Sequence, residues 1–203
     1  MKKLIKRVGV CLILAALVWC GTLIADRERL NEELIRLHVV ANSDSEEDQS
    51  IKLQVRDAVT KSLQSELEKL ADVEEAKAYL KANLPKIQAV ANEALAKAGF
   101  DGEAVVTLCK EAFETRYYDT FTLPAGVYEA LRITIGEGEG HNWWCVVFPS
   151  LCVPATTGGF ADTAAAAGFP ETLSGALTGE TEYEVRFFCL DALGKLENIL
   201  FRE

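Results

Sequence analysis

The feature that most constrains this chain is an uncharged stretch close to its N-terminus. Residues Val8 to Ala25 carry no charge over 18 positions, and four of the seven residues before them are basic. As a helix this stretch would extend roughly 27 Å, close to the thickness of the hydrocarbon layer of a bilayer. Basic residues before such a segment favour the cytoplasmic side. We therefore predict that 1–25 is a signal peptide or membrane anchor and that the rest is exported.

Whether the segment is cleaved is left open by the sequence. A signal peptidase site needs small residues at positions −3 and −1. Ala25 fits the second position, whereas Leu23 fits the first poorly. An uncleaved anchor and a cleaved signal both stand as alternatives, and contact with the membrane is expected through this segment.

The charge of the chain excludes one class of partner. Its 203 residues include 31 acidic and 21 basic side chains, a net charge of −10. Such a surface repels phosphate backbones, so no nucleic-acid partner is expected. The length suits a single extracytoplasmic domain over residues 26–203.

The cysteines point to a disulfide rather than to a metal site. Two of the six lie in the apolar segment, and the other four can pair in three ways. Export permits such bonds, and a disulfide between Cys145 and Cys152 is one possibility. There is no CxxC motif and there are two histidines, so neither a metal nor another cofactor is predicted.

The first half of the domain predicts one strand and a helix. Leu34–Ala41 is apolar and β-branched, as in a buried strand. Ser43 or Asp44 begins a helix-capping pattern that ends three residues later in glutamate. The helix that follows is expected to place four polar residues on its outer face: Lys52, Arg56, Asp57 and Lys61.

A second helix is predicted over Val73–Ala98. Asp72 precedes it as a cap and Gly99 follows it. Pro85 lies inside this range and is expected to kink the helix or to split it in two, because proline cannot donate the backbone hydrogen bond.

Three strands follow, at Ala104–Ala112, Val127–Ile135 and Asn142–Phe148. The last two are separated by a short glycine-rich run, which predicts a hairpin with a glycine loop. Small and polar residues dominate 155–180, so a mobile loop is expected there.

The chain closes with a predicted amphipathic helix over Glu184–Phe201. Its expected inward face consists of apolar residues at helical spacing: Val185, Phe188, Cys189, Ala192, Leu193, Leu196 and Leu200. The element order predicts an α+β fold in which a mainly antiparallel sheet is covered by helices on one side, preceded by the N-terminal apolar helix.

The stretch from Gly136 to Cys152, GEGEGHNWWCVVFPSLC, invites a catalytic interpretation that its spacing does not support. No helix opens at its glycines, as a phosphate cradle requires. Glu137 and Glu139 lie on one flexible loop, whereas a pair of catalytic carboxylates must be held at a fixed separation across a cleft. On a strand His141 and Cys145 would be about 13 Å apart, too far for a nucleophile and its base. No catalytic residue is therefore predicted.

The two adjacent tryptophans in this stretch favour a binding surface. Trp143 and Trp144 must point to opposite faces of a strand. One of them can serve the core, and the other is then available to a partner, for which tryptophan is well suited. Burial of both remains the alternative.

Two long runs of the sequence resemble the stage II sporulation protein R family. One begins at Arg36 and reads RLHVVANSDSEEDQSIKLQVRDAV, and the other begins at Pro124 and reads PAGVYEALRITIGEGEGHNWWCVVFPSLC. The resemblance is close over roughly Leu34–Val153 and does not extend to the 155–180 region.

This resemblance implies a signalling protein of endospore-forming bacteria that is not an enzyme. The family is made in the forespore, is exported into the space between the septal membranes, and is needed for a mother-cell membrane protease to cleave a sigma-factor precursor. An exported cell-wall hydrolase or wall-binding module is the alternative. The positions expected to contact the protease match the two motifs and have no evident core role: Asn42, Asp44, Asp48, Gln49, Arg56, Asp57, Gly136, Gly138, Gly140, Asn142, Trp143 and Trp144.

Overall fold

The computed structural model describes residues 2–118, 121–149, 171–180 and 183–201. These residues form five helices and six strands. In chain order they are α1 (Lys2–Glu33), β1 (Ile35–Val40), α2 (Glu46–Leu67), α3 (Val73–Lys97), β2 (Ala104–Phe113), β3 (Arg116–Tyr117), β4 (Thr122–Leu123), β5 (Gly126–Ile135), β6 (Asn142–Phe148), α4 (Glu171–Thr178) and α5 (Glu184–Phe201).

The main sheet has four strands in the order β2-β5-β1-β6. β2 pairs antiparallel with β5, and β6 pairs antiparallel with β1, whereas β1 and β5 run parallel. The predicted α+β class with a mainly antiparallel sheet is confirmed. β3 and β4 form a separate two-stranded ribbon.

The predicted hairpin between β5 and β6 is wrong, because β1 lies between these two strands. The glycine-rich connection must therefore cross two strand spacings, about 10 Å, instead of one. Residues 136–141 provide that length. The crossing takes place at the C-terminal end of β1, which places the loop directly above the residues that follow that strand.

Helices cover both faces of the sheet, and not one side as predicted. The first core packs α2 and α3 against one face, to which β1 contributes Ile35, Leu37 and Val39. The second core covers the other face with residues of α1, α4 and α5, including Leu30, Leu173 and Leu190. Every residue of β1 is buried, as expected for a strand enclosed on both faces.

Helix α1 continues without a break from the apolar segment into the domain, so the charged residues after Ala25 form a helical stem. The helix contains a stretch long and apolar enough to cross a membrane, and almost none of that stretch is buried. Its C-terminal part is different, because Leu23 and Leu30 are buried in the second core. Leu23 precedes the expected boundary at residue 25, so the core extends into the predicted signal or anchor segment.

The helix termini show local capping, with one correction. The N-cap of α2 is Ser45, whose side chain accepts a hydrogen bond from the Asp48 backbone N–H, and neither Ser43 nor Asp44 takes that role. Asp72 caps α3 as predicted, through the backbone N–H of Glu75. Helix α3 is not split at Pro85, which lies at an exposed position where water can solvate the carbonyl left without a partner.

The predicted loop at 155–180 is not a loop throughout. Residues 155–170 lie outside the described part of the chain, whereas Glu171–Thr178 is helix α4. Leu173 and Leu177 are four residues apart and are both buried in the second core, which explains why this small segment is helical.

Helix α5 has the predicted bounds, but its predicted inward face is wrong. The side facing the sheet carries Leu190, Gly194 and Asn198. Asn198 donates a hydrogen bond to the backbone carbonyl of Phe113 at 2.8 Å. Most of the apolar residues expected to face inward point to the outside instead: Val185, Phe188, Leu193, Leu196 and Leu200 are all exposed.

The lack of a side chain at Gly194 is what allows α5 to approach the sheet closely. A Cβ atom at this position would lie 1.7 Å from the backbone oxygen of Ala125. We expect Gly194→Ala to destabilise the protein by about 2 kcal/mol through overpacking, although alanine favours a helix by about 1 kcal/mol. Urea unfolding in detergent micelles measures this difference.

The matched control is Ala192→Leu on the exposed side of the same helix. This variant should change the free energy of unfolding by less than about 0.5 kcal/mol. A Gly194→Ala protein as stable as the wild type would show that the helix does not need this close approach.

Candidate functional site

The candidate site is built where the glycine loop, residues 136–141, crosses the end of β1. The backbone N–H of Glu139 donates to the carbonyl of Asn42 at 3.1 Å, and that of Gly140 donates to the carbonyl of Ala41 at 3.0 Å. The Glu137 N–H donates to the side-chain oxygen of Asn42 at 3.1 Å. The loop is therefore held by the residues between β1 and α2 and not by pairing of its own two ends.

Each of the three glycines meets a specific geometric requirement. Gly136 and Gly138 have φ angles of 54° and 67°, a conformation that other residues rarely adopt. Gly140 needs space instead, because a Cβ atom there would lie 2.2 Å from the backbone oxygen of Ser43. The glycines predicted as contact residues thus shape the loop.

Asp48 organises the segment below the loop. Its carboxylate accepts hydrogen bonds from the Ser43 hydroxyl and from the Asn42 side-chain amide, the latter at 2.9 Å. These hydrogen bonds, with that from Ser43 contributing most, hold the pKa of Asp48 below its ordinary value. Gln49 completes the turn by donating to the Ser43 carbonyl at 2.9 Å. Three predicted contact residues, Asn42, Asp48 and Gln49, therefore serve the framework of the site.

Asp44 ties the far end of the loop to the start of α2. Its carboxylate accepts hydrogen bonds from both the ring and the backbone N–H of His141, the latter at 2.6 Å. These two hydrogen bonds, the ring bond first, lower the pKa of Asp44. Lys52 reaches the same place from α2 and donates to the His141 carbonyl at 3.0 Å.

Lys52 was predicted on the outer face of α2, and that prediction is wrong. The residue is buried, and burial lowers the pKa of its ammonium group. Its position follows from its partners, since the carbonyl of His141 and the side-chain oxygen of Gln49 both accept from it. A sequence pattern cannot reveal this, because the loop that supplies the carbonyl is 89 residues away.

Trp143 is the aromatic residue that the site presents to solvent. Its side chain is 37% exposed, and the Arg56 guanidinium lies 4.3 Å from the ring centroid. Arg56 also pairs with Asp57, at 2.7 Å. We call the residues Asp44, Arg56, Asp57, Glu139, His141 and Trp143 the Trp143 surface. It combines one aromatic ring with charges of both signs.

Trp144 lies on the opposite face of the sheet, as the strand geometry predicts. Its ring stacks on His38, with centroids 5.6 Å apart, and Arg116 covers it at 3.4 Å. It belongs to the border of the second core and is partly buried. Of the two tryptophans, Trp143 is therefore the one presented on the surface with the glycine loop.

His38 lies on the face of the sheet that packs in the second core, and both of its ring nitrogens are engaged there. Nδ1 lies 2.8 Å from a Glu111 oxygen and Nε2 lies 2.9 Å from the side-chain oxygen of Asn142. Burial opposes ionisation of Glu111, but the hydrogen bonds and charges of His38 and Arg132 outweigh it and lower its pKa. Asn142, predicted to contact a partner, is thus engaged within the domain.

The candidate catalytic groups are not brought together. Cys145 is disulfide-bonded and lies in the first core, whereas His38 faces the second. Cys152, the expected partner of Cys145, lies outside the described residues; the other four described cysteines, Cys11, Cys20, Cys109 and Cys189, are free. Glu137 and Glu139 are both exposed on the loop. In the described part of the chain, no thiol or hydroxyl is hydrogen-bonded to either histidine ring.

Comparison with known proteins gives the chain its family. The model of the family described as stage II sporulation protein R (spore_II_R) matches residues 31–157, which is more than half of the chain. The chain belongs to the stage II sporulation protein R family. This confirms the resemblance and places the protein in sporulation. The matched range contains β1, the glycine loop and both tryptophans of β6.

A curated member of this family is similar to part of this chain. The stage II sporulation protein R of Bacillus subtilis (strain 168) is 43% identical over 121 residues, which cover 60% of this chain and 54% of that protein. The aligned region thus spans about half of the relative's length. No solved structure matches the chain.

The first prediction for the site concerns Gly140. Gly140→Ala should push the loop away from Ser43, because a backbone oxygen 2.2 Å from the new Cβ atom cannot move without disturbing the start of α2. Hydrogen exchange measured by mass spectrometry should show faster exchange of the Glu139 and Gly140 amides, by about tenfold for each 1.4 kcal/mol of lost local stability. Glu137→Ala, an exposed change in the same loop, should leave both rates unchanged. Equal rates in all three proteins would contradict this account.

A second prediction concerns Asp48 and pH. Since its folded-state pKa is lowered, the stability that its ionised form contributes is present above the unfolded pKa, about 3.9, and is lost as the pH falls through the lower folded value. Asp48→Asn should reduce the free energy of unfolding by about 1 kcal/mol at pH 7, and this difference should shrink below pH 4. Urea unfolding between pH 7 and pH 3 measures it.

The control for this experiment is Asp57→Asn, a change at an exposed ion pair with Arg56. That variant should lose less than about 0.5 kcal/mol at pH 7. A difference between wild type and Asp48→Asn that stays constant down to pH 3 would contradict the role given to the Asp48 carboxylate.

Proposed function

We propose that this protein is an exported signalling protein of the forespore that binds and activates a membrane-embedded protease of the mother cell. The protease then processes a sigma-factor precursor. The Trp143 surface is the part of the molecule that docks on it. The observation that carries the docking proposal is the exposure of Trp143 beside a loop held rigidly by hydrogen bonds to Ala41 and Asn42.

The composition of the Trp143 surface suits recognition of a protein. Tryptophan and arginine are the residues that most often dominate the energy of a protein interface. Here Arg56 lies on the Trp143 ring, so a partner that covers the ring also desolvates a cation. Docking on a preformed loop avoids the entropy cost of ordering it during binding.

A role as a ligand and not as an enzyme is supported by how the polar groups are used. The acids near the glycine loop, Asp44 and Asp48, hold the loop and α2 in place. The ring nitrogens of His38 are both engaged, and Cys145 is committed to a disulfide. These groups already have structural partners, and we propose that no catalytic function is present.

Export and location follow the same proposal. Helix α1 combines a basic start with a stretch able to cross a membrane, which is compatible with export or with anchoring. We place the folded domain between the two septal membranes. In that position the Trp143 surface can meet an extracytoplasmic part of the protease.

Replacement of the two tryptophans separates docking from folding. Trp143→Ala should preserve the fold and weaken binding of the full chain to the detergent-solubilised protease by about 30-fold, the effect of losing a 2 kcal/mol contact. Trp144→Ala should instead lower the free energy of unfolding by about 2 kcal/mol, since it removes the half-buried ring between His38 and Arg116. Binding is measured by co-purification, function by cleavage of the sigma-factor precursor, and folding by urea unfolding.

Lys61→Ala provides the control, because Lys61 is an exposed residue of α2 outside the Trp143 surface. It should bind and signal as the wild type does. If Trp143→Ala is folded and supports precursor cleavage at the wild-type rate, the Trp143 surface is not the docking site. If the wild-type chain does not bind the protease at all, the direct-ligand proposal fails.

A further inference from the structure

Helix α5 exposes an apolar face that the domain itself does not cover. Phe188, in the second turn of the helix, is 71% exposed, and further large apolar side chains of the helix are exposed as well. The exposed large apolar residues of this helix are Val185, Phe188, Leu193, Leu196, Ile199, Leu200 and Phe201. Apart from Phe201, which is exposed at the end of the helix, they lie on the side away from Leu190, Gly194 and Asn198, which face the sheet. We call this side of the helix the α5 apolar face.

Charged side chains are nearly absent from the α5 apolar face. Among the exposed residues of α5, Glu184 and Lys195 are the charged ones, and Lys195 pairs with Asp191 at 2.7 Å. The remaining charges of the helix, Arg186 and Glu197, are directed toward α1. Apolar patches of this kind on a protein surface mark contact with another protein or with a membrane.

The position of α5 relative to α1 identifies what covers it. Arg186 donates to the Asp26 carboxylate at 2.7 Å, and Asp26 is the first charged residue after the uncharged segment. Glu197 accepts from Asn31 at 3.1 Å and pairs with Arg27. Both ends of α5 are therefore fixed to the short part of α1 that directly follows the membrane-spanning stretch.

These contacts also show how α5 is inclined. Residues 186 and 197 are about 16 Å apart along α5, whereas Asp26 and Asn31 are about 7.5 Å apart along α1, at about 1.5 Å per residue. Helix α5 thus runs mainly across the direction of α1. If α1 crosses the bilayer, α5 stays near the headgroup layer, which is roughly 5–8 Å thick on each side.

We propose that the α5 apolar face lies on the outer surface of the membrane that holds α1, with its apolar side chains among the lipids. The inference takes α1 as an uncleaved anchor, one of the two alternatives for this segment, and rests on the proposed export of the domain. The exposed apolar residues of α1, such as Ile24, end next to the Asp26–Arg186 pair, where α5 begins. The lipid that surrounds α1 can therefore also cover the α5 apolar face. The acidic net charge of −10 means that apolar burial, and not attraction to anionic lipid, drives the contact.

Membrane contact on this side has a consequence for the Trp143 surface. Trp143 packs with α2 on one face of the sheet, whereas α5 belongs to the core on the other face. A domain that rests on lipid through α5 therefore keeps the face with Trp143 on its far side. The membrane would restrict the orientation of the domain without covering the proposed docking site.

Depth-dependent fluorescence quenching tests the proposal on the full chain. The four free cysteines are replaced by serine, and a single cysteine is introduced as Phe188→Cys or Leu196→Cys for a polarity-sensitive fluorophore. Lys61→Cys on α2 is the matched control, exposed on the other side of the sheet. Each protein is reconstituted into phosphatidylcholine vesicles that contain a lipid with a nitroxide near its headgroup.

We expect the labels at 188 and 196 to be quenched several-fold more than the label at 61, at both 0.1 M and 0.5 M NaCl. Equal quenching at 196 and 61, or quenching at 188 but not at 196, overturns the proposal. The label at 196 could instead be protected from quenching in a way that disappears when the protein is diluted in lipid. That result would identify a second copy of the chain as the occupant of the α5 apolar face and would also overturn the proposal.

The outcome is separable from that of the proposed function. Precursor cleavage is measured with the same reconstituted proteins. Quenching without cleavage would refute the signalling role and leave the lipid contact standing. Cleavage without quenching would refute the lipid contact alone.

Discussion

The position of β1 between β5 and β6 is the constraint on which the rest of the structure depends. Because β1 is parallel to one neighbour and antiparallel to the other, its C-terminal end meets the end of β5 and the start of β6. The connection between them has to pass over that end. The carbonyls of Ala41 and Asn42 would otherwise lack partners, and the loop supplies the N–H groups they need. The glycine loop is therefore a consequence of the strand order.

Local features of the fold could be read from the sequence, whereas the strand order could not. The bounds of β6 and the cap of α3 at Asp72 depend on neighbouring residues, so spacing and capping predict them. A hairpin and a crossing over β1 leave similar local patterns, and pairing with a strand about a hundred residues away decides between them. The same distance hides Lys52, whose burial depends on the carbonyl of His141.

Several residues predicted to contact a partner also form the framework of the candidate site. Hydrogen bonds in the turn that supports the loop engage the polar groups of Asn42, Asp48 and Gln49. Alternation along β6 correctly placed the tryptophans on opposite faces but could not say which of the two would be left exposed. The covering residues, Arg56 above Trp143 and Arg116 above Trp144, come from α2 and from the β3 ribbon.

Helix α5 shows why an apolar stripe does not always face the core. Side chains on its inner side form hydrogen bonds with the backbone of the domain. Asp191 accepts from the Ala125 N–H at 2.9 Å, and Asn198 donates to the Phe113 carbonyl. Gly194 is needed on that side for close approach. These roles leave room for few large apolar residues beyond Leu190 on that side, and helical periodicity places most of the others on the opposite side. Helical periodicity therefore identifies the residues that avoid water, and the apolar surroundings that we propose for them are the lipids beside α1.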